Sequence, residues 1–238
     1  MPGSSGVGQL AARLHGFLQH PELIEQGVYD VMMWILFFPL TVLRMIVSPR
    51  RTLRYVREQA ALDPDTAFSD AMRPALFLAI AIILGSFISP DDIDVLRATT
   101  SSALGKMVYG SWTSVTAFSM IALCLVPLVG ALLLDLLTPG RVSRESLRVP
   151  FDQQCYIGAP SILVLTFLGG IGPSLLGIAA SGIAAAAALA WVVVVEYFYF
   201  RDNSELRPLV CMALVLATLF GGLVLIVLAA LLVTGVTR

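Results

Sequence analysis

The sequence predicts an all-α fold, a polytopic transmembrane helical bundle of five spans with an N-terminal interfacial amphipathic region. Three observations predict it. Apolar residues fill 58% of the 238 positions and charged residues only 13%, against the roughly 25% with which a soluble domain solvates its surface. The charges cluster between long apolar runs that are nearly free of them, the pattern of a chain whose main solvent is lipid. No strand-like alternation of the barrel kind occurs anywhere. The net charge of −1 supplies no basic excess to hold nucleic acid.

The N-terminal tail, Met1 to Gln26, has no apolar stretch ahead of a cleavage site, so no removable signal peptide is expected. The first true span is then its own insertion signal. Both histidines, His15 and His20, fall in this tail, which leaves the membrane part without a histidine-dependent catalytic or metal constellation.

The segment from Val28 to Val47 is apolar but holds Asp30, Pro39 and Arg44. Asp30, Thr41 and Arg44 fall near one narrow stripe at helical spacing, which favours an interfacial or re-entrant helix; a sixth span stays open. Ser48 then reads as an N-cap and Pro49 as a first-turn residue. Arg50, Arg54 and Arg57 recur on one side of the following helix and Leu53, Val56 and Ala60 on another. Such a basic amphipathic helix suits anionic lipid head groups, with Arg50, Arg51, Arg54 and Arg57 as the membrane-surface binding residues. The alternative is a solvated helix carrying an Arg54–Glu58 pair. Asp63-Pro64-Asp65 ends the segment.

Five stretches have the ~20 residues that cross a hydrocarbon core of about 30 Å. They run from about Ala71 to Ser89, Trp112 to Leu137, Phe151 to Leu168, Pro173 to Phe198 and Pro208 to Val233. Thr138-Pro139-Gly140 closes the second. Gly169 to Gly172 is all that separates the third from the fourth, which predicts a tight antiparallel hairpin. Pro127 and Pro160 are positioned to kink the second and third spans.

Loop charge sets the orientation. Arginines crowd the region before the first span, and Arg141, Arg144, Arg148, Arg201 and Arg207 mark two later loops. The loop between the first two spans holds Asp91, Asp92 and Asp94 against Arg97 and Lys106. Counting arginine and lysine alone puts the N-terminal region in the cytoplasm and the C-terminus outside, consistently across the loops. Residues 1–70 then form a cytoplasmic region of interfacial helices and 71–238 a five-span domain of an inner membrane.

Ionisable groups inside a membrane are functional candidates because burying them is expensive. Asp135, Asp152, Gln153, Tyr156 and Glu196, with Gln154, Tyr197 and Tyr199 beside them, all map to the cytoplasmic side. Converging faces would make a polar vestibule there; otherwise each group reaches water or a neighbouring arginine from a span end. Gly177, Ser181 and Ala185, with Gly182 and Ala186 alongside, give the fourth span a small-residue face for packing within the bundle or for a homodimer seam. Cys124, Cys155 and Cys211 sit singly in apolar stretches and read as packing residues, with no disulfide or zinc spacing. Phosphate-loop, nucleophile-elbow, zinc-protease and Rossmann signatures are missing. Neither an enzyme nor a cofactor or metal site is expected.

The order of features resembles the bacterial five-span branch of the Yip (Ypt/Rab-interacting protein) family. It rests on Ser48-Pro49-Arg50-Arg51-Thr52-Leu53-Arg54, on Ala67-Phe68-Ser69-Asp70-Ala71-Met72 ahead of the first span, on Tyr156-Ile157-Gly158-Ala159-Pro160, and on the polar linker from Arg201 to Arg207. The Asp-Leu-Tyr-Gly-Pro motif of the eukaryotic branch is absent. The resemblance implies a five-span fold with a cytoplasmic N-terminus more than an activity. The first expectation for its role is a non-enzymatic protein that organises membrane or partner proteins. The other expectation is a small-solute or lipid permease that uses the intramembrane polar residues.

Overall fold

The computed structural model describes residues 21–62, 67–68, 70–88, 97–98, 100–138 and 141–235, and no strand occurs among them. In chain order the helices are α1 (Pro21–Val47), α2 (Pro49–Ala60), α3 (Pro74–Ile88), α4 (Ala103–Val108), α5 (Trp112–Leu137), α6 (Arg144–Gly170), α7 (Gly172–Leu176), α8 (Ile178–Asn203) and α9 (Pro208–Thr234). The expectations placed on His15, His20, Asp63-Pro64-Asp65, the acidic run at Asp91, Asp92 and Asp94, and Pro139-Gly140 lie outside the described residues.

Contacts between helix ends give the topology. At one end Tyr156 of α6 donates to the Met72 carbonyl just before α3, at 2.6 Å. There too Ser146, early in α6, donates to Asp135 near the end of α5 at 3.0 Å, and Asn203 closing α8 donates to Gln153 at 3.0 Å. At the opposite end Phe87 of α3 packs on Trp112 of α5, ring centres 4.8 Å apart. Ser181 early in α8 donates to the Leu168 carbonyl at 2.5 Å, and Ser102 ahead of α4 donates to the carbonyl of Val233 in the last turn of α9. Thus α3, α6 and α9 run one way and α5 and α8 the other.

The organising helix is α6, which packs against α1, α2, α3, α5, α7 and α8. Its Cys155, Tyr156 and Ile157 join Phe77 and Leu78 of α3 and Val195, Tyr199 and Phe200 of α8 in the buried core. Protein surrounds it from Gln153 to Ile157, all of them buried, which is why that stretch tolerates glutamines.

Among the described residues three helices, α5, α8 and α9, are long and apolar enough to cross a membrane, fewer than the five expected. Helix α3 has 15 residues, about 22 Å at 1.5 Å per residue, and α6 carries Arg144, Glu145, Arg148, Asp152, Gln153 and Gln154 in its first turns. The three that qualify leave most of their apolar side chains uncovered, as at Ile121, Leu209, Phe220 and Leu232.

Boundaries moved where capping decides them. Helix α6 starts at Arg144 rather than Phe151 because the Ser143 hydroxyl takes the Ser146 amide at 3.1 Å while the Ser146 hydroxyl takes the Ser143 amide at 2.9 Å. The hairpin after α6 contains the one-turn α7, which Pro173 opens. Helix α8 therefore starts at Ile178 rather than Pro173, after Gly177 takes a φ of 82°, a left-handed conformation that suits glycine. The small-residue face of α8 divides: Ser181 is buried and Ala185 half-buried, whereas Gly177, Gly182 and Ala186 are exposed. Helices α1, α5 and α6 continue through Pro39, Pro127 and Pro160. The three cysteines are free.

Candidate functional site: the arginine end of the bundle

Helix α2 forms as its pattern predicts, with Pro49 in the first turn and Thr52, Leu53, Val56 and Ala60 buried. What covers that apolar face is α6 and α8 rather than lipid. Gln153 of α6 donates to the Leu53 carbonyl at 2.8 Å, which ties the middle of α2 to the bundle. Docking by the apolar face turns the basic face outward.

The four arginines then divide. Arg50 forks onto Asp202 at the end of α8, Nε to Oδ2 at 2.9 Å and Nη2 to Oδ1 at 2.6 Å. Its guanidinium also lies 4.8 Å from the centre of the Phe198 ring. Arg57 donates to the Asp202 carbonyl and to Asn203 Oδ1, each at 3.2 Å. Arg51 and Arg54 are exposed and make no hydrogen bond or ion pair among the described residues; the Arg54–Glu58 pair does not form. A cleft of about 310 Å³ opens between Arg50, Arg54, Arg57, Gln153, Phe198 and Asn203.

The residues expected to line a vestibule are mostly closed on separate partners. Gln153, through its bonds to Leu53 and Asn203, belongs to the arginine cleft. Tyr156 touches a second cavity, between α1, α2 and the start of α3. Asp135 is 9% exposed and accepts from Ser146. Glu196 is 4% exposed and accepts from Gln154 Nε2 at 2.9 Å. Asp152 is half-buried, one helical turn after Arg148. Asp135, Asp152 and Glu196 line neither cavity. Among the described residues no three His, Cys, Asp or Glu side chains are grouped to hold a metal ion.

Three participants escape the sequence pattern. Asp202 and Asn203 sit in a linker that reads as polar filler, and their partners lie about 150 positions earlier, as the separations of 152 and 146 show. Tyr55 reads as part of an amphipathic face, yet its hydroxyl is buried and makes no well-formed hydrogen bond among the described residues. Burial raises its pKa above the usual tyrosine value, the Asp70 carboxylate adding to the rise while Arg44 and the Asp70 backbone oppose it. The hydroxyl therefore stays protonated at neutral pH.

Comparison with family models, with curated proteins and with solved structures finds no match for this chain.

Proposed function

We propose that this chain is a non-enzymatic, five-span inner-membrane protein of the Yip type whose arginine end organises anionic lipid or a partner protein at the cytoplasmic surface. In this reading α3, α5, α6, α8 and α9 cross the bilayer, α1 and α2 lie at the cytoplasmic interface, and the C-terminus faces out. The alternating helix directions support that count, because they gather Arg141, Arg144, Arg148, Arg201 and Arg207 at the same end as α2. The positive-inside rule makes that end cytoplasmic. Helix α3 reaches across with the help of Arg73, which is positioned to snorkel.

The observation that carries the functional reading is the docking of α2. Its apolar face is used up on α6 and α8, and Arg51 and Arg54 stand out with no partner among the described residues. The polar groups within the spans are meanwhile held by Ser146, Gln154, Leu53 and Met72, an arrangement that serves packing better than passage. A permease would need them along one hydrated path.

Proteoliposomes separate the two roles. Labelled lipid and a small-solute panel should show no flux with the wild type or with an Asp135→Asn, Asp152→Asn, Glu196→Gln triple variant. Energy transfer to a labelled anionic lipid should report enrichment around the wild type, and most of it should disappear with Arg50, Arg51, Arg54 and Arg57 all changed to Gln. Flux that the triple variant abolishes while remaining folded would make this a permease instead.

A further inference from the structure

The second cavity, about 510 Å³ between α1, α2 and the start of α3, is two-sided. Arg44, Arg51, Ser48 and the Tyr55 ring contribute its polar wall, Leu43 and Val47 its apolar one. Three features of the polar wall call for an anion. Arg51 is exposed and has no partner among the described residues, and Arg44 spends one amine, Nη1, on the Asp70 carbonyl at 2.9 Å. The Ser48 hydroxyl, between α1 and α2, borders the cavity, is exposed and makes no hydrogen bond among the described residues, so a neutral donor stands free beside the two guanidiniums. The carboxylate of Asp70, an exposed residue whose carbonyl Arg44 holds, offsets part of that positive charge. What remains matches a single monoanion.

The apolar wall gives that anion a tail. Leu43 is 58% exposed and Val47 69% exposed, on a helix whose outer face is aliphatic from Met32 onward. A free phosphate ester would leave this wall in water, whereas an acyl chain would cover it.

We propose that this cavity is a specific site for one anionic phospholipid, its phosphate held by Arg51, Arg44 and the Ser48 hydroxyl and its acyl chain lying along Leu43 and Val47. The site rests on the reading of α1 and α2 as interfacial and deepens it from a charged surface to one seat for one lipid. A choline or ethanolamine head group would bring a second cation against the guanidiniums and bind less well.

Native mass spectrometry of the full chain in detergent tests it, with phosphatidylglycerol, phosphatidylcholine and glycerol phosphate as probes. One phosphatidylglycerol should bind at least about fivefold more tightly than phosphatidylcholine. Arg51→Gln and Ser48→Ala should each weaken it about fivefold or more, Arg207→Gln at the same end should not, and excess glycerol phosphate should not displace the lipid. Equal binding of the two lipids overturns the proposal, as does an Arg207→Gln loss equal to that of Arg51→Gln. Displacement by glycerol phosphate overturns the choice of a lipid over a soluble phosphate ester. Ser48→Ala changes no charge, which tells the two levels apart. Anionic-lipid enrichment in bilayers with no effect of Ser48→Ala in micelles sinks the site alone, whereas no enrichment around the wild type sinks the surface reading beneath it.

Discussion

Changing Gly130 to Ala sets two effects of opposite sign against each other. An alanine in a helix interior is favoured over glycine by about 1 kcal/mol, so on propensity alone the variant should be more stable. The packing says otherwise. A Cβ at Gly130 would lie 2.6 Å from both Cδ and Nε2 of Gln154 and 2.9 Å from its Oε1, where ordinary contact begins at 3.4 Å. Gln154 has little freedom to retreat, since it is 2% exposed and its Nε2 is held by Glu196 at 2.9 Å. Moving the amide breaks that bond and leaves a buried carboxyl without its donor, a loss of about 1–3 kcal/mol. The net expectation is destabilisation by about 1 kcal/mol, or about 2–4 °C in Tm for a chain of this size. Thermal unfolding of the purified protein in detergent is the assay. Gly182→Ala serves as reference, because a Cβ there meets nothing within 4 Å, and it should raise Tm. In a Gln154→Ala background the Gly130→Ala change should turn from destabilising to stabilising. A Gly130→Ala variant that gains as much as Gly182→Ala would show that the Gln154–Glu196 bond does not hold the amide in place.

Tyr156→Phe removes a fully buried hydroxyl and leaves the Met72 carbonyl without its 2.6 Å donor, so Tm in the same assay should fall by the equivalent of about 1–2 kcal/mol; no change would mean that water replaces the bond. Asp202→Asn dismantles the Arg50 fork, and amide exchange over residues 49–60 should quicken at low salt. The difference should shrink towards about 0.5 M salt, where exposed charges are screened, and an increment indifferent to salt would argue that Asp202 acts through packing.

Much of the architecture is legible in the residues themselves. Helix α5 and the start of α9 fall where apolar runs and Pro208 put them, and α2 follows from Pro49 and the opposed spacing of arginines and aliphatics. What escaped was set by contacts between distant parts. The early start of α6 was present in the sequence as Ser143 and Ser146, a reciprocal cap with serine in place of the usual Glu or Gln at the third position. The small face of α8 has the right period for packing, yet period alone does not say which neighbour arrives, and at Gly182 none does. At the site, the spacing of Arg50, Arg54 and Arg57 was readable, but Asp202 becomes a partner only once α8 returns to the end where α2 docks. Asp135 and Glu196 looked like members of one cluster because they share a depth. Their hydrogen bonds assign them to different helix pairs, a distinction carried by rotation about the helix axis.

The enclosure of α6 bears on how the bundle is made. A helix that opens with arginines, a glutamate, an aspartate and two glutamines is a poor candidate to partition into lipid by itself, where a mid-bilayer charge costs about 2.5–3.5 kcal/mol even on insertion scales. In the five-span reading it leaves the ribosome after α3 and α5, its most extensive partners among the earlier helices. Those two would already be waiting at the translocon to shield its polar turns. The later helix α8 is apolar enough to enter unaided and close the sheath around it. Biogenesis would then proceed by a hand-over, with the helix least fit for the membrane admitted by the company it keeps. Shortening α3 should therefore be felt first as failed insertion of α6, well before any change in the finished protein.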